Sequence, residues 1–350
     1  MSGLPDNEQG VLMKFDVGLP PFGVQGADVF AKTAEEAGIS GLFSVESSHE
    51  PFLPMVLAAE HTKRLELGTG VAIAFVRSPM VLAYTAWDLA NFSNGRFILG
   101  LGTQVKGHNE RRFSVPWDRP GPRLRELILA LRAIWGCWQN GDPLDFRGEF
   151  YTFTLMTPFF NPGPIQHPNI PLYVAGVNPY ICKLVGELCD GFHVHPLHTV
   201  AFLKEVVLPE VQEGAKKAGR SVDEVSLASS AFVAIGDTKE EVRPQLEFAK
   251  MQISFYASTK AYRRVLSHHG WEDVGDRLTR LAAEGKWDAM PAQLPGALVE
   301  MMVEQGAIEE VAHKVRSKYE GVLDRISFYT PSLPTQEPER WKSAAEILQS

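Results

Sequence analysis

The architecture this sequence predicts is an α/β fold, a (β/α)8 TIM barrel with insertion segments. Short apolar strand-like runs alternate with amphipathic helical runs along most of the chain, and eight strand candidates can be counted. At 350 residues the chain holds one complete barrel plus an added hairpin and helices, which fits better than an open doubly wound sheet.

In order, residues 14–19 read as a strand, 27–37 as a helix closed by Gly38, 41–45 as the second strand and 53–62 as its helix. Strand 65–74, helix 79–92 and strand 96–101 follow. The runs 42–45 and 97–101 are almost continuously apolar, as expected of strands covered on both faces. The rhythm then breaks. Residues 102–122 form a long polar, basic loop and 123–138 an amphipathic helix. Residues 141–171 are an insertion: a surface hairpin around Arg147-Gly148-Glu149, then a Pro-rich loop. Strand 172–175, helix 179–188, strand 192–195, helix 199–218 and strand 225–235 restore the alternation. Helix 239–255, a mostly helical section over 259–305, helix 307–319, the eighth strand at 325–329 and a terminal helix from Glu337 complete the chain. The simplest division is one domain over 1–350, with the barrel at 14–331, the insertion at 141–171 and the C-terminal helix within 332–350.

Hydrophobic residues make up 45% of the chain and charged residues 22%, enough for a sizeable core without disulfides or a structural metal. A net charge of −8, without a long Lys/Arg run, argues against binding nucleic acid or an anionic membrane. The three cysteines, Cys137, Cys182 and Cys189, lack CxxC spacing, which points to a reduced cytoplasm. Residues 1–13 are polar and lack the apolar run of a signal peptide, and no stretch approaches the ~20 apolar residues that cross a bilayer. A soluble, cytoplasmic chain is expected.

In a barrel of this kind the reacting groups follow the strand ends on one face. Gly68-Thr69-Gly70 interrupts a strand, either as a bend or to bring backbone close to a planar ring. Ala175-Gly176-Val177-Asn178-Pro179 joins a strand to a helix and suits either an ordinary Asn-capped turn or main-chain binding of a phosphate. The loop after Gly102 carries Gln104, Lys106, His108, Arg111 and Arg112 around Glu110, a solvated loop or a seat for an anion. His49 follows a strand between Glu46 and Glu50, placed for proton transfer or for a structural bond. His193 and His195 share a strand face, with His195 nearer the carboxyl end.

Taken together in this order, these segments resemble the luciferase-like monooxygenase superfamily, and more closely its branch that uses the deazaflavin coenzyme F420. The resemblance runs from about Lys14 to Pro331. It is closest at 65–79, 97–113, 172–191, 254–271 with Tyr256 and Tyr262, and 325–331. It implies a bacterial-luciferase-like barrel and a homodimer. Gly70-Val71 would be a non-prolyl cis peptide backing the ring, with Ala72 beside it. Thr103 and Gln104 would contact the cofactor, and Ala175, Gly176 and Val177 would bind its phosphate. His49 matches a histidine near the reactive ring edge, and Glu110 resembles an acid used for proton transfer, one residue further from Gly102 than in relatives. Where many relatives have Asp-His after the second strand, this chain has Ser48-His49, which leaves Glu46 as a substitute acid.

The function expected is hydride transfer between coenzyme F420 and a small organic substrate, with His49, then Glu110, then His195 as proton carriers. The alternative keeps the fold but binds FMN as a monooxygenase. A third reading is a metal-dependent hydrolase using His193-x-His195 with His49 or His198, and a fourth is a barrel that binds a cofactor without turnover. Phe52, Phe75, Trp117, Phe159 and Phe160 either line an apolar pocket or pack the barrel mouth.

Overall fold

In the computed structural model, which describes residues 12–21 and 23–350, eight parallel strands close into a barrel. Most of the polar stretch 1–13 read as lacking a signal segment therefore lies outside the described residues. The barrel strands are β1 (Lys14–Gly18), β2 (Gly41–Ser44), β3 (Glu66–Thr69), β4 (Phe97–Gly102), β5 (Leu172–Gly176), β6 (Gly191–Val194), β7 (Ser226–Ile235) and β8 (Arg325–Tyr329). Each pairs in parallel with the next, and β8 returns to β1 through Lys14 with Arg325 and Phe15 with Ile326. Every residue of β2 and β4 is buried, because helices cover one face and the barrel interior the other.

The covering helices are α1 (Ala27–Glu36), α2 (Leu53–His61), α3 (Pro79–Phe92), α4 (Pro120–Asn140), α5 (Pro179–Leu188), α6 (Leu208–Lys217), α7 (Ile308–Tyr319) and α8 (Pro338–Leu348). Neighbours pack in sequence from α1 to α6, and α8 bridges α7 and α1. The insertion hairpin pairs Phe146 with Phe153 and Arg147 with Thr152, as its turn residues predict. A second insertion, residues 239–302 between β7 and α7, begins with the helix Lys239–Ala257 and brings Gln252 and Tyr256 to Tyr329 at the end of β8.

Three elements differ from the sequence reading. Val303–Gly306, read as the end of a helical section, is a strand on the distal half of β7, Phe232 to Ile235. Four residues with a single fully buried position carry no period to read. The helix expected over 199–218 has a π-helical turn at Leu203–Val207. Pro209 has no N–H for the carbonyl four residues earlier, and such a gap is where a helix widens. The loop after β4 contains a short helix, Lys106–Arg111.

Inside the barrel, Phe43, Ile98, Tyr173 and Ala228 form a small cluster around His193, whose ring lies 5.2 Å from both Phe43 and Tyr173. Beneath it the Arg325 guanidinium reaches Asp16 at 2.7 and 2.8 Å and Glu66 at 2.5 Å. The amino end of the barrel is thus plugged by a satisfied ion cluster, which leaves the carboxyl rim for chemistry. Among the described residues no helix is long and apolar enough to cross a membrane.

Candidate active site

The third strand is where the rim departs from regular structure. Leu67 pairs with Phe97 and Gly68 with Ile98, but further on Ala72 pairs with Leu101 and Ile73 with Gly102. Thr69, Gly70 and Val71 therefore face only Leu99 and Gly100, which is a bulge of one residue. The Gly70–Val71 peptide is cis, at the position the resemblance implied. Thr69 replaces the interrupted ladder with its side chain. Its hydroxyl donates to the Gly100 carbonyl at 2.6 Å and accepts the Gly100 N–H at 3.0 Å. Gly70 and Val71 are left half-buried between fully buried neighbours, and the Val71 side chain lies against Gly102. Ala72 is fully buried, with its side chain in the hydrophobic core.

Glu46 holds this bulge from the β2 side. Its N–H donates to the Val71 carbonyl at 3.3 Å, and its carboxylate takes the Ile73 N–H at 2.7 Å and the Arg77 guanidinium at 2.8 and 2.9 Å. Arg77 also reaches Glu50, whose carboxylate accepts the N–H groups of Phe52 and Leu53 where α2 begins. Glu46 is committed to these bonds and is not a free substitute acid. The Glu46 side chain is only 7% exposed, so neutralising it leaves the Ile73 N–H and the half-buried Arg77 guanidinium without their main acceptor, Glu50 remaining as Arg77's second partner. We expect Glu46→Gln to lower stability by about 3 kcal/mol, read from the urea midpoint. An unchanged midpoint would remove Glu46 from this role. His49 sits exposed on the loop so fixed; a Cβ on Gly23 in the β1 loop would stand 3.1 Å from its Nδ1.

Past β4, Thr103 and Gln104 are half-buried at the rim, with Gln104 in the left-handed region at φ 56°. Asn109 shapes this loop by donating to the carbonyls of Thr103 and Val105 at 2.9 and 3.2 Å. Glu110 is exposed, 3.9 Å from Lys106. Arg112 donates to the Ser47 carbonyl, which ties this loop to the one carrying His49.

At the end of β5, Ala175, Gly176 and Val177 are half-buried, and a Cβ on Gly176 would stand 2.4 Å from Ile181 of α5. Asn178 caps α5 by accepting the Ile181 N–H at 2.9 Å, so the capping reading of this turn holds. A small, partly open cavity lies beside the turn, with Gly176, Val177, His195, His198, Tyr262 and Arg264 in its walls. His195 stacks on Tyr262 at 4.1 Å and meets Tyr256 edge-on at 4.5 Å. The Leu197 N–H donates to His195 Nδ1 at 3.1 Å, which leaves the proton on Nε2. Burial, helped by His198, pushes His195 down to about 3, so the ring is a neutral donor near pH 7 and not an acid.

The rim therefore brings the Gly70–Val71 bulge, Thr103–Gln104 and Ala175–Val177 onto adjacent strand ends, with His49 on the loop after β2, the strand next to the bulge. Of the expected pocket aromatics, Phe52 packs 6.4 Å from Phe97 in the core. Phe75 is buried against Trp117, and Phe159 and Phe160 are exposed on the insertion loop, where Tyr84 of α3 holds the Phe160 carbonyl. His193 turns into the barrel while His195 faces Tyr262, so the two do not converge. Among the described residues no group of three or more His, Cys, Asp or Glu is placed to hold a metal ion. The hydrolase reading thus has no ligand set. Arg77, Glu210 and Arg264 went unmarked in the sequence.

The model of the luciferase-like monooxygenase family matches residues 14–325. The chain belongs to that family. It is accordingly an oxidoreductase acting on a small-molecule substrate. An uncharacterized protein of Mycobacterium tuberculosis is 42% identical over 314 residues, covering 90% of this chain and 92% of the relative. A putative coenzyme F420-dependent oxidoreductase of the same organism is 28% identical over 299 residues, covering 79% and 83%. Among solved structures, the coenzyme F420-dependent tetrahydromethanopterin reductase of Methanopyrus kandleri has the same fold, with a TM-score of 0.77 at 20% identity over 96% of this chain and 98% of that one.

Proposed function

We propose that this protein transfers a hydride between the deazaflavin coenzyme F420 and a small organic substrate. One observation carries the reading. Half-buried residues at three adjacent strand ends, Gly70–Val71, Thr103–Gln104 and Ala175–Val177, form one wall of the rim, which supports placing a flat ring and its phosphate there. Val71 against Gly102 and Ile181 against Gly176 leave that wall no room for larger side chains. The likeness to a putative coenzyme F420-dependent oxidoreductase of M. tuberculosis supports the choice of cofactor.

When bound, the cofactor supplies a two-electron hydride acceptor or donor at its C5. The protein does the rest. The β3 bulge, held by Thr69 and Glu46, would back the ring, and the β5 turn would hold the phosphate. Exposed Lys106 and Arg111 after β4 are available to an anionic part of the cofactor. His49 accepts the hydroxyl proton when the substrate is an alcohol losing hydride from the same carbon, and donates a proton in the reverse direction. Glu110, exposed on the neighbouring loop, is the second carrier.

The test is an absorbance titration of the purified protein with F420, FMN and NADP, followed by a screen of secondary alcohols, enones and imines for change in the F420 spectrum. Binding of F420 with micromolar affinity or better is expected. Binding of FMN without F420 would replace this reading with an FMN-dependent monooxygenase. On the substrate that emerges, His49→Gln should lower kcat about 10²- to 10³-fold with cofactor Kd unchanged. An unaffected kcat would move the proton role to Glu110.

A further inference from the structure

We infer that Arg264 is the positioning residue of the turn after β5, the side chain through which the second insertion sets that turn's conformation. The inference rests on the reading that this turn takes the cofactor's phosphate. Arg264 lies on the short helix Arg263–His268, within the insertion. Its Nη1 donates to the Val177 carbonyl at 3.2 Å, and Nη1 and Nη2 hold the Glu210 carboxylate at 3.3 and 2.5 Å. Glu210 is on α6 and only 18% exposed, so the guanidinium is anchored from a barrel helix and laid on the loop at a fixed angle. Phe202 supports its face at 5.8 Å.

The geometry decides what such a clamp does. A trans peptide is planar, with its C=O and N–H pointing in opposite directions. Holding the Val177 carbonyl toward Arg264 therefore aims the Asn178 N–H away from it. Any anion bound by that N–H lies on the far side of the peptide from the guanidinium. Arg264 thus acts on the ligand through the backbone and not by direct charge. The Glu210 carboxylate also offsets most of its charge, which suits an orienting role better than an electrostatic one.

These two roles predict opposite signs for one substitution. If Arg264 positions the turn, Glu210→Gln frees the guanidinium and weakens cofactor binding. If Arg264 attracts the phosphate by charge, removing the nearby carboxylate strengthens binding. We expect Arg264→Ala to raise the Kd for F420 about 10-fold or more and Glu210→Gln to raise it about 3- to 10-fold. Neither variant should change the slope of log Kd against log salt. Cofactor should also slow proteolysis within residues 259–302 of the wild type, and slow it less in both variants.

Tighter binding in Glu210→Gln, an unchanged Kd in Arg264→Ala, or a shallower salt slope in Arg264→Ala would each overturn the inference. Should Arg264→Ala fail to fold, the sign of the Glu210→Gln effect decides alone. Wild-type protein that binds neither F420 nor FMN would instead bring down the cofactor reading itself, and this inference with it.

Discussion

Replacing Gly100 by alanine is expected to leave no stably folded protein. A Cβ at that position would stand 1.7 Å from the Thr69 carbonyl oxygen and 2.9 Å from His193 Nε2. Neither neighbour has anywhere to go. The Thr69 backbone is fixed by its own hydroxyl, bonded to both polar groups of Gly100, and His193 is wedged between Phe43 and Tyr173. Overpacking a side-chain contact costs about 1–3 kcal/mol, but here the obstacle is backbone in a closed barrel, so the cost exceeds about 4–5 kcal/mol. That is a large part of the 5–15 kcal/mol that typically holds a domain together. Soluble yield and a circular dichroism melt measure it. Gly136→Ala is the matched control. Gly136 lies inside α4 with open space around its Cβ position, and alanine there should raise stability by roughly 0.5–1 kcal/mol. A Gly100→Ala protein melting within about 2 °C of wild type would refute the account of the bulge.

What could be read in the sequence follows from how far apart the cooperating residues lie. The eight strands were legible because a continuous apolar run and a helical stripe each declare themselves within a few residues. The β3 bulge was legible too, because its glycines stand in the strand itself. The partners that hold the rim were not. Glu46 meets Arg77 across 31 residues, Val177 meets Arg264 across 87, and Tyr256 meets Tyr329 across 73. No local pattern marks such a pair, since each member alone looks like a solvated charge or a surface phenol. Glu46 illustrates the error that results. Beside His49 in sequence it reads as a substitute acid, yet in the fold its carboxylate is spent on Ile73 and Arg77. His193 and His195 mislead in the opposite way. A two-residue spacing suggests convergence, but β6 ends at Val194, and the second ring leaves the barrel for Tyr262.

The protein should lose stability steeply as the pH falls from about 6.5 toward 4, through histidines that it buries without charge. Burial, with the Arg325 cation nearby, pushes His193 down to about 3 against the opposing pull of the Thr69 carbonyl. Burial and His198 bring His195 to about 3, and burial brings His198 to about 4 despite its bond to the His195 carbonyl. The unfolded chain takes up these protons near 6.5. Between the two values the unfolded state binds more protons, so stability is complete above about 6.5 and drains away below it. Each histidine contributes about 1.4 kcal/mol per pH unit, and the three together about 4 kcal/mol per unit, as an upper figure because His195 and His198 titrate as a pair. Two units of acidification would then remove much of a typical domain's stability. Urea midpoints at half-unit steps from pH 7.5 to 4.5 measure the slope. His193→Leu separates this cause from carboxylate protonation. It removes a ring whose Nε2 is buried without a partner, and should flatten the slope by about 1.4 kcal/mol per unit while leaving the carboxylates alone. A slope that His193→Leu leaves untouched would assign the acid sensitivity to other groups. A midpoint constant down to pH 4.5 would mean that these rings keep their protons in the fold, and His195 would then return as a candidate acid at the barrel mouth.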